Sequence, residues 1–122
     1  MATATYSRLL LSGSTNGKPI KVAANATPGT TLHTAISGSS GFDELYLWVA
    51  NTSSADVALT IEWGGVTDPD NLLCKAVTIP ANSPPIPIAT GMVLNNGAVA
   101  AAFASAANVL TVTGYVNRIS AV

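Results

Sequence analysis

The sequence predicts an all-β fold: a single-domain antiparallel β-sandwich, jelly-roll-like, with about eight or nine strands. Three observations predict it. Turn signals rich in Gly, Asn, Ser and Pro recur every eight to twelve residues from end to end, the spacing of a sandwich or barrel. The segments between them largely alternate apolar and polar residues, the period of a strand with one face buried. The chain has 122 residues, enough for one hydrophobic core and too few for two, so residues 1–122 are read as one domain.

Each element follows from its own residues. Residues 6–12 form the first strand and stop at Gly13-Ser14-Thr15-Asn16-Gly17. Residues 18–24 form the second, closed by Asn25-Ala26-Thr27-Pro28-Gly29, and residues 30–36 the third. Residues 42–50 are the clearest strand, with Leu45, Leu47 and Val49 on one face and Tyr46, Trp48 and Ala50 on the other. After a short polar link, residues 56–63 alternate again, with Val57, Leu59, Ile61 and Trp63 on one face. These two runs are expected to pair as a β-hairpin. Residues 72–79 follow the loop Thr67-Asp68-Pro69-Asp70-Asn71. Pro84, Pro85 and Pro87 then hold extended backbone that cannot donate to a central ladder, and residues 88–94 form the next strand. Residues 98–107 are rich in alanine, the best helix former, but short for a helix; a strand over 98–104 is preferred to a single helical turn. The last strand ends at Ile119. The expected core is Leu45, Leu47, Val49, Val57, Leu59, Ile61, Val77, Ile79, Leu110, Val112 and Val116.

Composition narrows the function. Hydrophobic residues make up 48% and charged residues 9%, against about 25% charged in an average domain. Net charge is −1, and the five basic residues, Arg8, Lys18, Lys21, Lys75 and Arg118, are scattered. Nucleic-acid binders concentrate such residues, so no nucleic-acid partner is expected. No apolar run approaches the roughly 18 residues of a membrane-spanning helix, so no membrane partner is expected either. The amino end lacks a basic stretch followed by an apolar segment, and no signal peptide is expected. With so little charge, copies neither repel one another nor hydrate strongly, which predicts a surface largely covered by neighbours in an assembly.

The residues that carry chemistry are few. Asp43 and Glu44 are adjacent on a strand, point to opposite faces, and are read as solvated strand-edge charges. Glu62 is read as a surface or interface residue. His33 has no second His or Cys at metal-ligand spacing and is read as a surface or interface imidazole. Cys74 is single and is read as a buried structural thiol. Asp68-Pro69-Asp70-Asn71 lacks the downstream Glu of a calcium loop and is explained by turn formation. Asn25 and Asn51 open glycosylation-like triplets, expected by chance in a chain this rich in Asn, Ser and Thr. The glycines lie between strands and cradle no phosphate. The aromatics Tyr6, Tyr46, Trp48, Trp63 and Tyr115 are read as packing and cross-strand pairs in preference to a sugar platform. No catalytic, cofactor-binding or metal-binding residue is expected, and no enzyme activity.

Two stretches carry a resemblance: Leu45-Tyr46-Leu47-Trp48-Val49-Ala50-Asn51-Thr52-Ser53 with Leu59-Thr60-Ile61-Glu62-Trp63-Gly64-Gly65, and Ala104-Ser105-Ala106-Ala107-Asn108 with Gly114-Tyr115-Val116-Asn117-Arg118-Ile119. Over residues 45–119 the chain resembles small virion proteins of tailed bacteriophages. That resemblance implies a decoration, or cement, protein: an often trimeric β-sandwich that binds the outer surface of the capsid shell and stabilises it. The implied partners are further copies of the chain and the major capsid protein. The implied location is the outer capsid surface of the virion, after synthesis in the host cytoplasm. A homotrimer is favoured, because a closed ring buries uncharged surface and three-fold rings suit an icosahedral lattice. The candidate interface is Tyr6, Leu9, Leu10 and Leu11, whose unbroken leucine run suits burial on both sides. Residues 1–12 are thus a candidate arm, exchanged between subunits or touching the shell. The alternative is a carbohydrate- or receptor-binding module of a phage tail or head fibre, which requires Trp48 or Trp63 exposed beside polar groups.

Overall fold

The computed structural model describes residues 4–120, which contain nine strands and no helix. They are β1 (Thr5–Leu10), β2 (Ile20–Lys21), β3 (Thr30–Thr34), β4 (Phe42–Asn51), β5 (Val57–Trp63), β6 (Leu72–Ile79), β7 (Ser83–Leu94), β8 (Val99–Ala104) and β9 (Leu110–Ser120). One sheet has the order β1-β9-β4-β7, with β2 pairing β9 beyond the end of β1; the other has the order β3-β8-β5-β6. All pairings are antiparallel. Only β5 and β6 follow one another within the second sheet; β3, β4, β5, β7, β8 and β9 each enter the sheet opposite the preceding strand. That winding is the jelly-roll order, so the expected sandwich is the observed one.

The alternation predicts the core well. Leu45, Leu47 and Val49 from one sheet and Val57, Leu59 and Ile61 from the other are buried together with Ile79, Leu110, Val112 and Val116. Leu11, Val22 and Leu32 join them. Residues 98–104 resolve as strand, with Ala100, Ala102 and Ala104 facing inward between β3 and β5. Small side chains suit that central place; alanine's helix propensity loses to pairing on both edges.

Several expectations are corrected. β4 and β5 do not form a hairpin: β4 pairs β9 and β7, β5 pairs β8 and β6, and residues 52–56 carry the chain from one sheet to the other. A period of two tells which residues share a face, not which strand lies alongside. Val77 keeps the inward register opposite Leu59 but is 38% exposed, because β6 is an edge strand with nothing beyond it. The second strand shrinks from residues 18–24 to Ile20–Lys21, as the chain leaves for the other sheet after Val22. β7 begins at Ser83 and takes in the prolines, which an edge strand tolerates.

Buried polar side chains stitch the two sheets at both ends. At one end Asn51 of β4 donates to the Ile79 and Ala55 carbonyls and accepts from Ser53. At the other, His33 of β3 meets Asp43 of β4, and the Trp63 indole donates to the Val93 carbonyl. Among the described residues no buried side-chain nitrogen or oxygen lacks a partner.

Candidate functional site

The outward face of the first sheet follows from register, because directly opposed residues share a face. One row crosses Tyr6, Ile119 and Phe42; the next crosses Arg8, Asn117, Glu44 and Val93. Then come Leu10, Tyr115, Tyr46 and Thr90, followed by Thr113, Trp48 and Pro87. Tyr6 is 64% and Leu10 55% exposed, and Phe42 and Val93 are exposed beside them. Arg8, Glu44 and Lys21 are the charged residues that the described strands bring to this face. It is a broad, weakly charged, apolar surface, the kind that marks contact with another macromolecule.

An aromatic ladder stiffens its middle. The rings of Tyr46 and Tyr115 stack at 4.9 Å and 15°, and Trp48 lies 6.0 Å from Tyr115. The Arg8 guanidinium sits 4.6 Å from the Tyr115 ring. Because β9 lies between β1 and β4, Arg8 and Tyr46 approach Tyr115 from opposite sides. The Tyr46 hydroxyl reaches over Gly91, where a Cβ would stand 3.2 Å away. These aromatics therefore pair across strands, as their spacing predicts. Trp63 instead packs against the core.

Of the four candidate interface residues, the structure places two on this surface. Tyr6 and Leu10 point outward; Leu9 packs against the core, and Leu11 is inside it. The leucine run is therefore not buried on both sides. Its alternation is carried by Leu9 and Leu11 inward with Leu10 outward. Of the arm over residues 1–12, residues 1–3 lie outside the described residues, and residues 5–10 are β1, paired to β9 of the same chain.

The second polar cluster overturns two readings. Asp43 is fully buried rather than solvated, and His33 is buried rather than at the surface. Arg118 grips Asp43 with both Nε, at 2.7 Å, and Nη2, at 2.9 Å. His33 Nε2 lies 2.7 Å from Asp43 Oδ2, and the Ile36 N–H donates to the same oxygen. Burial alone would raise the Asp43 pKa, but hydrogen bonds from Arg118 and then His33, with the charge of Arg118, outweigh it and hold the carboxyl below its ordinary value. The Ser12 N–H donates to His33 Nδ1, so the ring proton sits on Nε2 and points to Asp43. Both ring nitrogens are thus engaged inside the sandwich, and neither faces a nucleophile. The arrangement is a clamp between sheets.

Glu62 faces outward from β5 yet is 1% exposed, a further correction. The Thr27 hydroxyl donates to its Oε2 at 2.5 Å and the Gly29 N–H to its Oε1 at 2.7 Å. Beside it lies a cavity of about 310 Å³ on the outer side of the second sheet, walled by Val66, Leu72 and Phe103. Cys74 is half-buried rather than buried, and desolvation pushes its thiol pKa up. Residues 67–71 close on themselves: the Thr67 N–H donates to Asn71 Oδ1 and the Asn71 N–H to the Thr67 carbonyl. Asn51 is buried with its amide engaged, so its triplet is not a surface acceptor. No protein family, curated protein or solved structure matches the chain.

Proposed function

We propose that this chain is a structural virion protein of the decoration, or cement, type, which binds the outer capsid surface as a homotrimer and stabilises the shell. The observation that carries the proposal is the outward face of the first sheet, where Tyr6, Leu10, Phe42 and Val93 stand exposed with little charge among them. An isolated domain gains nothing from such a face; a subunit covers it. The resemblance over residues 45–119 supplies the partner class, the major capsid protein. Trp63, packed on the core, counts against the sugar-binding alternative, while Trp48 lies half-buried on the outward face against Tyr115. His33, Asp43 and Arg118 are engaged with one another in the clamp, which favours a structural reading of these three residues.

The test is electron microscopy of capsids that lack the protein, before and after purified protein is added. New density on the outer shell surface is expected for the parent and is lost for the double variant Tyr6→Glu, Leu10→Glu. A shell without added density under saturating parent protein overturns the proposal. Deleting residues 1–12 is not informative, since it removes β1 and the core residue Leu11.

A further inference from the structure

Glu62 has both carboxyl oxygens hydrogen-bonded but, among the described residues, no cationic partner. Its carboxyl is buried, and its two donors, Thr27 and Gly29, are neutral. Removing a carboxylate from water without a counter-cation is costly. Asp43 in the same chain has Arg118; Glu62 has a cavity. The 310 Å³ space beside it is apolar along Val66, Leu72 and Phe103, with Asp68 as a second carboxylate in its lining and Lys75, paired to Asp68, lining it as well. That volume is at the small end for ligand pockets and admits a short stem, not a drug-sized molecule.

We propose that this cavity binds a primary ammonium on a short aliphatic stem. The stem packs on Val66, Leu72 and Phe103, and the ammonium lies between Asp68 at the exposed rim and the buried carboxylate of Glu62. To reach Glu62 Oε2 the ammonium takes over the donor role of the Thr27 hydroxyl, which turns aside with its exposed loop. Lys75 shows the preference in miniature. Its ammonium pairs with Asp68 at the rim, both side chains being well exposed, and so competes with an incoming ammonium. The site lies on the sheet opposite the proposed shell-facing surface and does not depend on that proposal.

The experiment is a titration of the full chain with butylammonium, with 1-butanol as the neutral isostere, read by amide NMR shifts at Glu62, Leu72 and Phe103. Butylammonium is expected to bind about ten-fold or more tightly than butanol, the scale of one charge-assisted hydrogen bond. Glu62→Gln keeps the shape and is expected to abolish that preference. Val66→Trp fills the mouth from an exposed loop and is expected to abolish binding, whereas Lys75→Gln frees Asp68 and is expected to tighten it. The last two variants touch no buried side chain, so they decide the matter even if Glu62→Gln fails to fold. A parallel titration with Nα-acetyl-lysine N-methylamide separates sources: if it also binds, the ligand is a lysine of a partner polypeptide, and if only butylammonium binds, it is a free amine. Equal binding of butanol, absence of shifts, or indifference to both Val66→Trp and Lys75→Gln overturns the proposal.

Discussion

Asp43 is the residue on which one end of the sandwich depends. It accepts two bonds from Arg118, one from Ile36 and the His33 contact, so the first and second sheets and the carboxy-terminal strand meet at one carboxylate. Its folded pKa lies below the ordinary value. A depressed carboxyl pKa contributes stability that is fully present above the unfolded value of about 3.9 and is lost as pH falls through the folded value. Asp43→Asn is expected to cost about 3 kcal/mol at neutral pH, since it strands charge-assisted donors. The gap between parent and variant in urea midpoints should close as the solution is taken below pH 4, roughly where free carboxyls protonate. A gap independent of pH would show that the clamp acts through packing alone. None of this is visible locally: the side-chain partners of Asp43 sit 10 and 75 residues away in sequence. A lone acid between strand residues reads as solvent-facing until its partner is placed.

At the scale of elements, β9 and β4 approach more closely than side chains allow. A Cβ at Gly114 would stand 1.9 Å from the Tyr46 carbonyl oxygen, with backbone that cannot move aside cheaply. Gly114→Ala should therefore lower stability by about 1–3 kcal/mol or more through overpacking, measured as a fall in the urea midpoint. An unchanged midpoint would mean that the two strands can separate locally. The β4–β5 crossing rests on Asn51, whose amide holds both the link and the carbonyl of Ile79 in the opposite sheet. Asn51→Ala leaves these groups unsatisfied and is expected to cost about 2–3 kcal/mol in thermal unfolding. If the two strands were a hairpin within one sheet, that side chain would have no such inter-sheet duty, so a negligible cost would favour the simpler pairing. Leu59 is fully buried in the middle of the second sheet, and Leu59→Asp is expected to abolish soluble protein by burying an unpaired charge. Soluble, folded Leu59→Asp protein would refute that placement.

At the scale of the molecule, the two faces of the sandwich differ. The first sheet presents Tyr6, Leu10, Phe42 and Val93; the second presents the Glu62 cavity. If the first face is shared between subunits, light scattering at micromolar concentration should report a trimer that persists at high salt, since its contacts are apolar. Tyr6→Glu with Leu10→Glu should shift that species to monomer without loss of fold, because both side chains point outward. A parent that is monomeric at that concentration, or a double variant that stays trimeric, removes this face from the assembly.

The strand sequence, the inward rows of the central strands and the all-β class follow from sequence alone, because burial of one face imposes a period of two wherever a strand lies. The same reasoning places the weak charge and the cross-strand pairing of the aromatics. Which strands lie side by side does not follow, and neither do the hub role of Asp43, the burial of His33 and Glu62, or the escape of Val77 at an edge. Those depend on pairings such as β1 with β9 and on the crossing from β4 to β5, which join residues far apart in the chain. A side chain's face is a property of its own strand; its neighbours are a property of the winding, and only the tertiary structure decides that.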